Sequence, residues 1–197
     1  MKIHHWWMGA LVGASLAVGG CASMEGLETS KGSMGDASDR RFLAQDVVDN
    51  WSNVSAMAAR RLIEEYGVPD EVHANRLVWN QNGPWKRTVV REVKPPYTEP
   101  GDLGVVEQTI NYSMTPGQAD AVSAFDPQVT FNARSSELSA LSDREELNYL
   151  RLNLADDIVR RGVSVNQAHE TFANIVSLEQ SGKSSPYMAG LGFQLEQ

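Results

Sequence analysis

The sequence predicts an α+β fold, a mostly antiparallel sheet backed by helices, in a single domain that follows a flexible tether. Three observations predict it. Apolar residues recur at steps of three and four from Leu43 to Tyr66, the period of a helix. Between Val72 and Leu141, short alternating runs are punctuated by turn formers and never settle into a regular βαβ order. The last third carries two capping-box patterns, each followed by a helical period.

At the N-terminus, Lys2 precedes an apolar run from Trp6 to Val18, which ends in the small-residue exit Val18-Gly19-Gly20-Cys21. At a helical rise of about 1.5 Å per residue the run spans roughly 20 Å, short of the roughly 30 Å hydrocarbon core. Residues 1–20 are therefore expected to be a signal peptide and not a membrane span. Val18-Gly19-Gly20-Cys21 resembles the lipobox of bacterial lipoproteins. That resemblance implies cleavage before Cys21 and lipidation of its thiol, palmitate among the acyl chains, with the bilayer as the first partner. In the enteric pattern an aspartate after the cysteine favours the inner membrane. Ala22 stands there instead, which implies the periplasmic side of the outer membrane. Residues 21–38 then read as lipidated cysteine plus tether, rich in Gly and Ser, and 39–197 as the domain.

Within that domain, Leu43, Val47, Trp51, Val54, Ala58, Leu62 and Tyr66 mark one helical face. Asp49, Asn50, Ser52 and Asn53 compete for backbone bonds, so either one helix or two meeting near Trp51 satisfies the pattern. Gly67 can close the helix in the left-handed conformation, and Pro69 forbids its continuation. Val72–Trp79 and Trp85–Val93 read as the arms of a hairpin. Asn82-Gly83 supplies the positive φ angles, and Pro84 falls at a strand start. Lys94–Gly104, with three prolines, is a loop, and Val105–Met114 a third strand. Thr115-Pro116-Gly117-Gln118 starts a short helix to Phe125. Val129–Ala133 and Glu137–Leu141 are strands flanking Arg134-Ser135-Ser136. Ser142 with Glu145 caps a helix whose Leu147, Leu150, Leu154 and Ile158 share a face, and which closes at Arg160-Arg161-Gly162. Ser164 with Gln167 opens the next, ending at Gly182, and Tyr187–Leu195 adds a last short strand.

With 17 basic and 25 acidic residues the net charge is −8, which excludes the clustered cations that phosphate backbones demand; no nucleic acid is expected as a partner. The single cysteine excludes internal disulfides and Cys-rich zinc sites. His73 and His169 lack a second ligand at helical spacing, and no nucleophile elbow, HExxH or phosphate loop occurs. Hence no metal, cofactor or catalytic residue is expected from the familiar motifs. Acid pairs at Glu64-Glu65, Asp70-Glu71, Glu145-Glu146 and Asp156-Asp157 diverge by about 100° along a helix and read as solvated faces. Opposed carboxylates drawn from different elements would still permit glycosidase-type hydrolysis.

Two surface clusters are candidates. Trp79 and Trp85 flank the hairpin turn beside Lys86 and Arg87, residue types able to anchor a partner. Packing beneath the helix is the competing reading, and for Trp79 the favoured one. Arg134 and Glu137 could hold a ligand carboxylate or hydroxyl, or simply bridge strands. The segment from Tyr66-Gly67-Val68-Pro69 through Leu77-Val78-Trp79 to Gly83-Pro84-Trp85-Lys86-Arg87-Thr88 resembles a helix, turn and hairpin of small envelope lipoproteins, including accessory subunits of outer-membrane barrel assembly. The whole resembles a family of uncharacterised exported bacterial envelope proteins. These readings converge on a non-enzymatic envelope interaction or structural module whose partner is a protein or peptidoglycan. A carboxylate hydrolase and a periplasmic small-ligand carrier are the alternatives.

Overall fold

The computed structural model describes residues 33–94 and 103–195, so the expected signal peptide, Cys21 and most of the expected tether lie outside the described residues. The chain runs α1 (Ser33–Asp49), α2 (Asn53–Tyr66), β1 (Glu71–His73), β2 (Arg76–Asn82), β3 (Trp85–Arg91), β4 (Val106–Asn111), α3 (Pro116–Phe125), β5 (Val129–Asn132), β6 (Glu137–Ser142), α4 (Glu145–Arg161) and α5 (Val165–Gln180). The strands form one antiparallel sheet in the order β1-β2-β3-β4-β6-β5. This is the α+β architecture expected from the alternating runs.

Register places Leu77, Val90, Val106 and Ser142 in one row, and Trp79, Thr88, Gln108 and Ala140 in the next, on the same face. Helices α1 and α2 bury Leu77, Trp79, Val90 and Val106 from one end of that face. Helices α3, α4 and α5 bury Ile110, Leu138 and Ala140 from the other. Each fully buried Leu or Val in these clusters contributes roughly 1.5–3 kcal/mol of transfer free energy. Both helical groups therefore share one side of the sheet and meet above β3 and β4.

Several boundaries differ from expectation. Helix α1 starts at Ser33, inside the stretch read as tether. Of the two options for 39–66, two helices are found. Trp51 sits in the break with its indole N–H donated to the Ala74 carbonyl at 2.9 Å, and the Ser52 amide donates to the Glu92 carboxylate. Of the expected stripe, Trp51 and Leu62 are buried and Val47, Val54, Ala58 and Tyr66 pack at the edge of the core, while its centre lies one residue on, at Ala44, Val48, Ser55 and Ala59, and Leu43 is 50% exposed. Small residues at the contact let the helices approach closely.

The first hairpin arm is split, because Ala74 and Asn75 form a turn between β1 and β2. Asn82 pairs with Trp85, so Gly83 and Pro84 make the next turn themselves, and Pro84 is not a strand start. Gly83 has φ +57°. A type I′ turn would need positive φ at Pro84 too, which its ring forbids, leaving the II′ form. The second positive φ belongs to Gln81, not Asn82. Gly67 has φ +83° but ψ −152°, outside the left-handed helical well and in a region open essentially to glycine alone. The capping boxes at Thr115/Gln118 and Ser164/Gln167 form as expected, and Gly162 closes α4 in the left-handed conformation. Tyr187–Leu195 is not a strand: Pro186–Met188 is one 3₁₀ turn, followed by irregular chain that Asn153 pins through three hydrogen bonds.

Candidate functional site

The capping box expected at Ser142 and Glu145 does not form. The Ser142 hydroxyl instead turns onto Arg144, donating to its carbonyl and accepting from its amide, and Arg144 takes the N-cap position. Glu145 is thereby released from capping and points into the protein. It still lies in the first turn of α4, where the helix dipole favours a negative charge.

The sheet supplies its partners through an irregularity in β3. Lys86 and Arg87 both reach Glu137 on the face away from the helices, at 2.8 and 3.7 Å, so alternation fails between Trp85 and Thr88. Trp85 is turned to the helical side, 1% exposed, and donates its indole N–H to Glu145 Oε1 at 2.5 Å. The same oxygen accepts from the Tyr66 hydroxyl at 2.5 Å and from Gln108 Nε2 at 3.3 Å. Gln108 is oriented by Asn148, which donates to its amide oxygen at 2.9 Å. Tyr149 packs its ring on Trp85 at 4.9 Å beside Glu145. Burial, reinforced by the neighbouring Glu145, pushes the Tyr66 and Tyr149 hydroxyls well up, so both remain protonated.

Glu65, at the end of α2, completes the group. Its carboxyl is raised above the usual range, first by burial and then by the neighbouring Glu145 carboxylate, with Arg61 opposing.

Two depressions flank this pair. On one side, a groove of about 290 Å³ between α2 and the start of α4 is floored by Val54, Ala58, Leu62 and Val106, with the Met57 side chain at its edge. On the other, a cleft of about 630 Å³ runs between the end of α2 and the Gly83-Pro84 turn. Glu65 and Glu145 line both.

The residues expected to form a partner surface are placed otherwise. Trp79 and Trp85 are 2% and 1% exposed and belong to the core, with Trp79 Nε1 bound to the Gly67 carbonyl at 3.1 Å, so neither ring is presented by the hairpin tip. Lys86 and Arg87 are engaged by Glu137. Arg134 and Glu137 do not form a ligand pair. Arg134 is on an exposed turn, its amide bound to Asn132 Oδ1, while Glu137 bridges β6 to β3 across β4 and is held below the usual carboxylate range by Lys86. That is the strand-bridging alternative.

Two acid pairs read as solvated are not. Glu145 is buried, and Asp156 and Asp157 are 4% and 7% exposed, the first bonded to Tyr112 and Arg160, the second to Tyr187 and Arg161. Burial and the Asp156 carboxylate push the Tyr112 hydroxyl up to about 12. A signal for Glu145 did exist in the sequence: Asn148 and Tyr149 lie three and four residues on, one face of α4 with three polar groups above an apolar one. His73 pairs with Glu71 at 3.0 Å, and His169 packs on Phe125. Among the described residues no three His, Cys, Asp or Glu side chains converge as a metal site, and no helix is long and apolar enough to cross a membrane. The chain matches no family model, no curated protein and no solved structure.

Proposed function

We propose that this chain is a lipid-anchored envelope protein, tethered through Cys21 to the outer membrane, whose α+β domain serves as a non-enzymatic interaction module. One observation carries the module reading: large apolar side chains of the first helical pair are directed to solvent. Phe42 and Met57 are each 70% exposed and Leu43 is 50% exposed, with Met57 at the edge of the apolar groove. Exposed apolar groups gathered on one helical pair beside a groove are what a protein contact buries. The small inward residues Ala44, Ala56 and Ala59 account for the outward position of the large ones. Anchored through Cys21, this face would be within reach of other envelope proteins. Peptidoglycan, being polar, fits the groove less well.

Photo-crosslinking side chains placed at Phe42 and Met57, with exposed Thr130 on β5 as control, test the reading in the cells of origin. A defined protein adduct from positions 42 and 57 and none from 130 is the expected result. Equal, diffuse labelling from all three removes it. Intact-mass analysis of membrane-extracted protein should show a chain beginning at Cys21 with acyl mass added; a free thiol there removes the anchor.

The Glu65–Glu145 pair favours a second reading, carboxylate-dependent hydrolysis. A retaining glycosidase holds its carboxyls about 5 Å apart across the scissile bond, whereas Glu145 is already engaged by Trp85, Tyr66 and Gln108. Glycan-strand cleavage by the protein, abolished in Glu65→Gln, would reverse the order of the two readings.

A further inference from the structure

Met57 stands apart from Met114 and Met188, the other methionines whose surroundings are described. Its side chain is 70% exposed, while Met188 is 8% exposed in the core of the α3–α5 group and Met114 packs, partly buried, against that same core. Met57 also sits on the lip of the groove between α2 and α4, beside Ala58 and one turn after Val54, both of which line the floor. A salt bridge from Arg61 to Glu146 ties α2 to α4 at this groove, and Arg61 follows Met57 by four residues on the same side of α2. The thioether is therefore open to a small oxidant in solution. It also lies against the path of any apolar group that enters the groove.

We propose that Met57 is an oxidation site that regulates this groove, its sulfoxide withdrawing the groove from apolar partners, a role that rests on the reading of the groove as a contact surface. Hydrogen peroxide is the oxidant. The sulfur lone pair forms an S–O bond to one peroxide oxygen as the O–O bond breaks, and the departing hydroxide takes the proton of the transferred hydroxyl. Sulfur is oxidised by two electrons, peroxide is reduced by two, and the products are sulfoxide and water. Methionine sulfoxide reductases reverse the step. The change falls where docking is decided. A thioether is apolar and flexible, so it adapts to a surface laid on it. A sulfoxide carries a strong acceptor oxygen, and the cost of stripping water from that oxygen opposes burial. Arg61, one turn on, is placed to donate to it, which holds the oxidised side chain over the groove mouth.

Graded peroxide treatment of the full chain, followed by tryptic mass mapping, reads the site directly, because Phe42–Arg60 carries Met57 as its only methionine and Ser184–Gln197 carries only Met188. The Phe42–Arg60 peptide should gain one oxygen before the peptides that hold Met114 and Met188. Titration with the neutral apolar dye Nile red then reads the groove. Its affinity should weaken about tenfold or more on oxidation, the worth of one buried methionine side chain, with the urea midpoint unchanged. Met57→Leu keeps an apolar lip without sulfur, so it should bind the dye as the parent does and be indifferent to peroxide. Met57→Gln should bind weakly with no oxidant at all. In cells, the protein adduct expected from position 42 should fall under peroxide and persist in Met57→Leu. Absence of that adduct before any oxidant is added removes the contact reading alone, and the mapping and dye arms then decide the role of Met57 by themselves. Oxidation of Met114 or Met188 ahead of Met57, unchanged dye affinity once Met57 is oxidised, or an equal loss in peroxide-treated Met57→Leu overturns the inference.

Discussion

Replacing Glu145 by alanine should destabilise the protein by about 3–5 kcal/mol, because one carboxylate oxygen satisfies three donors. The Trp85 indole N–H is wholly buried, and the Gln108 amide is too. Loss of a charged acceptor leaves each with a desolvation penalty of about 1–3 kcal/mol, the larger share falling on Trp85 at 2.5 Å and the smaller on Gln108 at 3.3 Å. Tyr66 is half-buried and can turn towards water, so its loss adds about 0.5–1 kcal/mol. Relief of repulsion with Glu65 offsets about 1 kcal/mol at most, since that carboxyl is near solvent. Glu145→Gln keeps an acceptor oxygen in place and should cost about 1–2 kcal/mol. Urea denaturation of both variants measures the two costs. Trp85 fluorescence supplies a local readout, red-shifted if water replaces the carboxylate. Equal midpoints for the alanine variant and the parent, or alanine no worse than glutamine, would refute the assignment of Glu145 as the acceptor on which the junction of the two helical groups is built.

Two other predictions concern single residues. Gly67→Ala should cost about 1–3 kcal/mol; the new Cβ meets no atom within 4 Å, so the whole penalty is backbone strain at φ +83°, ψ −152°. A neutral effect on the denaturation midpoint would contradict that conformation. Glu137, held below its ordinary pKa by Lys86 and Arg87, contributes stability that is present above about pH 4.3 and lost as pH falls through its lowered folded value. The gap between parent and Glu137→Gln midpoints should therefore close between neutral pH and pH 3; a gap independent of pH would show that the pair with Lys86 does not act in solution.

Local chemistry determined much of this protein without reference to the fold. Thr115-Pro116-Gly117-Gln118 and Ser164 with Gln167 are self-contained devices, in which a side chain three residues away satisfies the backbone, and both form where the sequence placed them. The alternation of β4 and β6, the apolar face of α4 and the glycine after Arg161 are equally local, so the α+β class was legible. The expectation of a lipidation signal at Cys21 rests on the sequence alone, since such a signal is a pattern and not a fold.

Tertiary structure decided which of two equally good local options was taken. Ser142 and Glu145 satisfy the capping-box pattern, yet three donors from β3, β4 and α2 offer Glu145 more than one backbone amide can. The inward turn of Trp85 goes with two consecutive cations, Lys86 and Arg87, reaching Glu137 across a neighbouring strand, a residue far from them in the chain. Trp51 and Leu62 keep their expected places, but the centre of the helical stripe lies one residue on, because close packing of α1 and α2 on the sheet selects small side chains, a preference that periodicity does not express. The candidate site was hidden for the same reason. Glu65 and Glu145 stand 80 positions apart, and only the meeting of α2 and α4 above β3 and β4 brings them to one cleft.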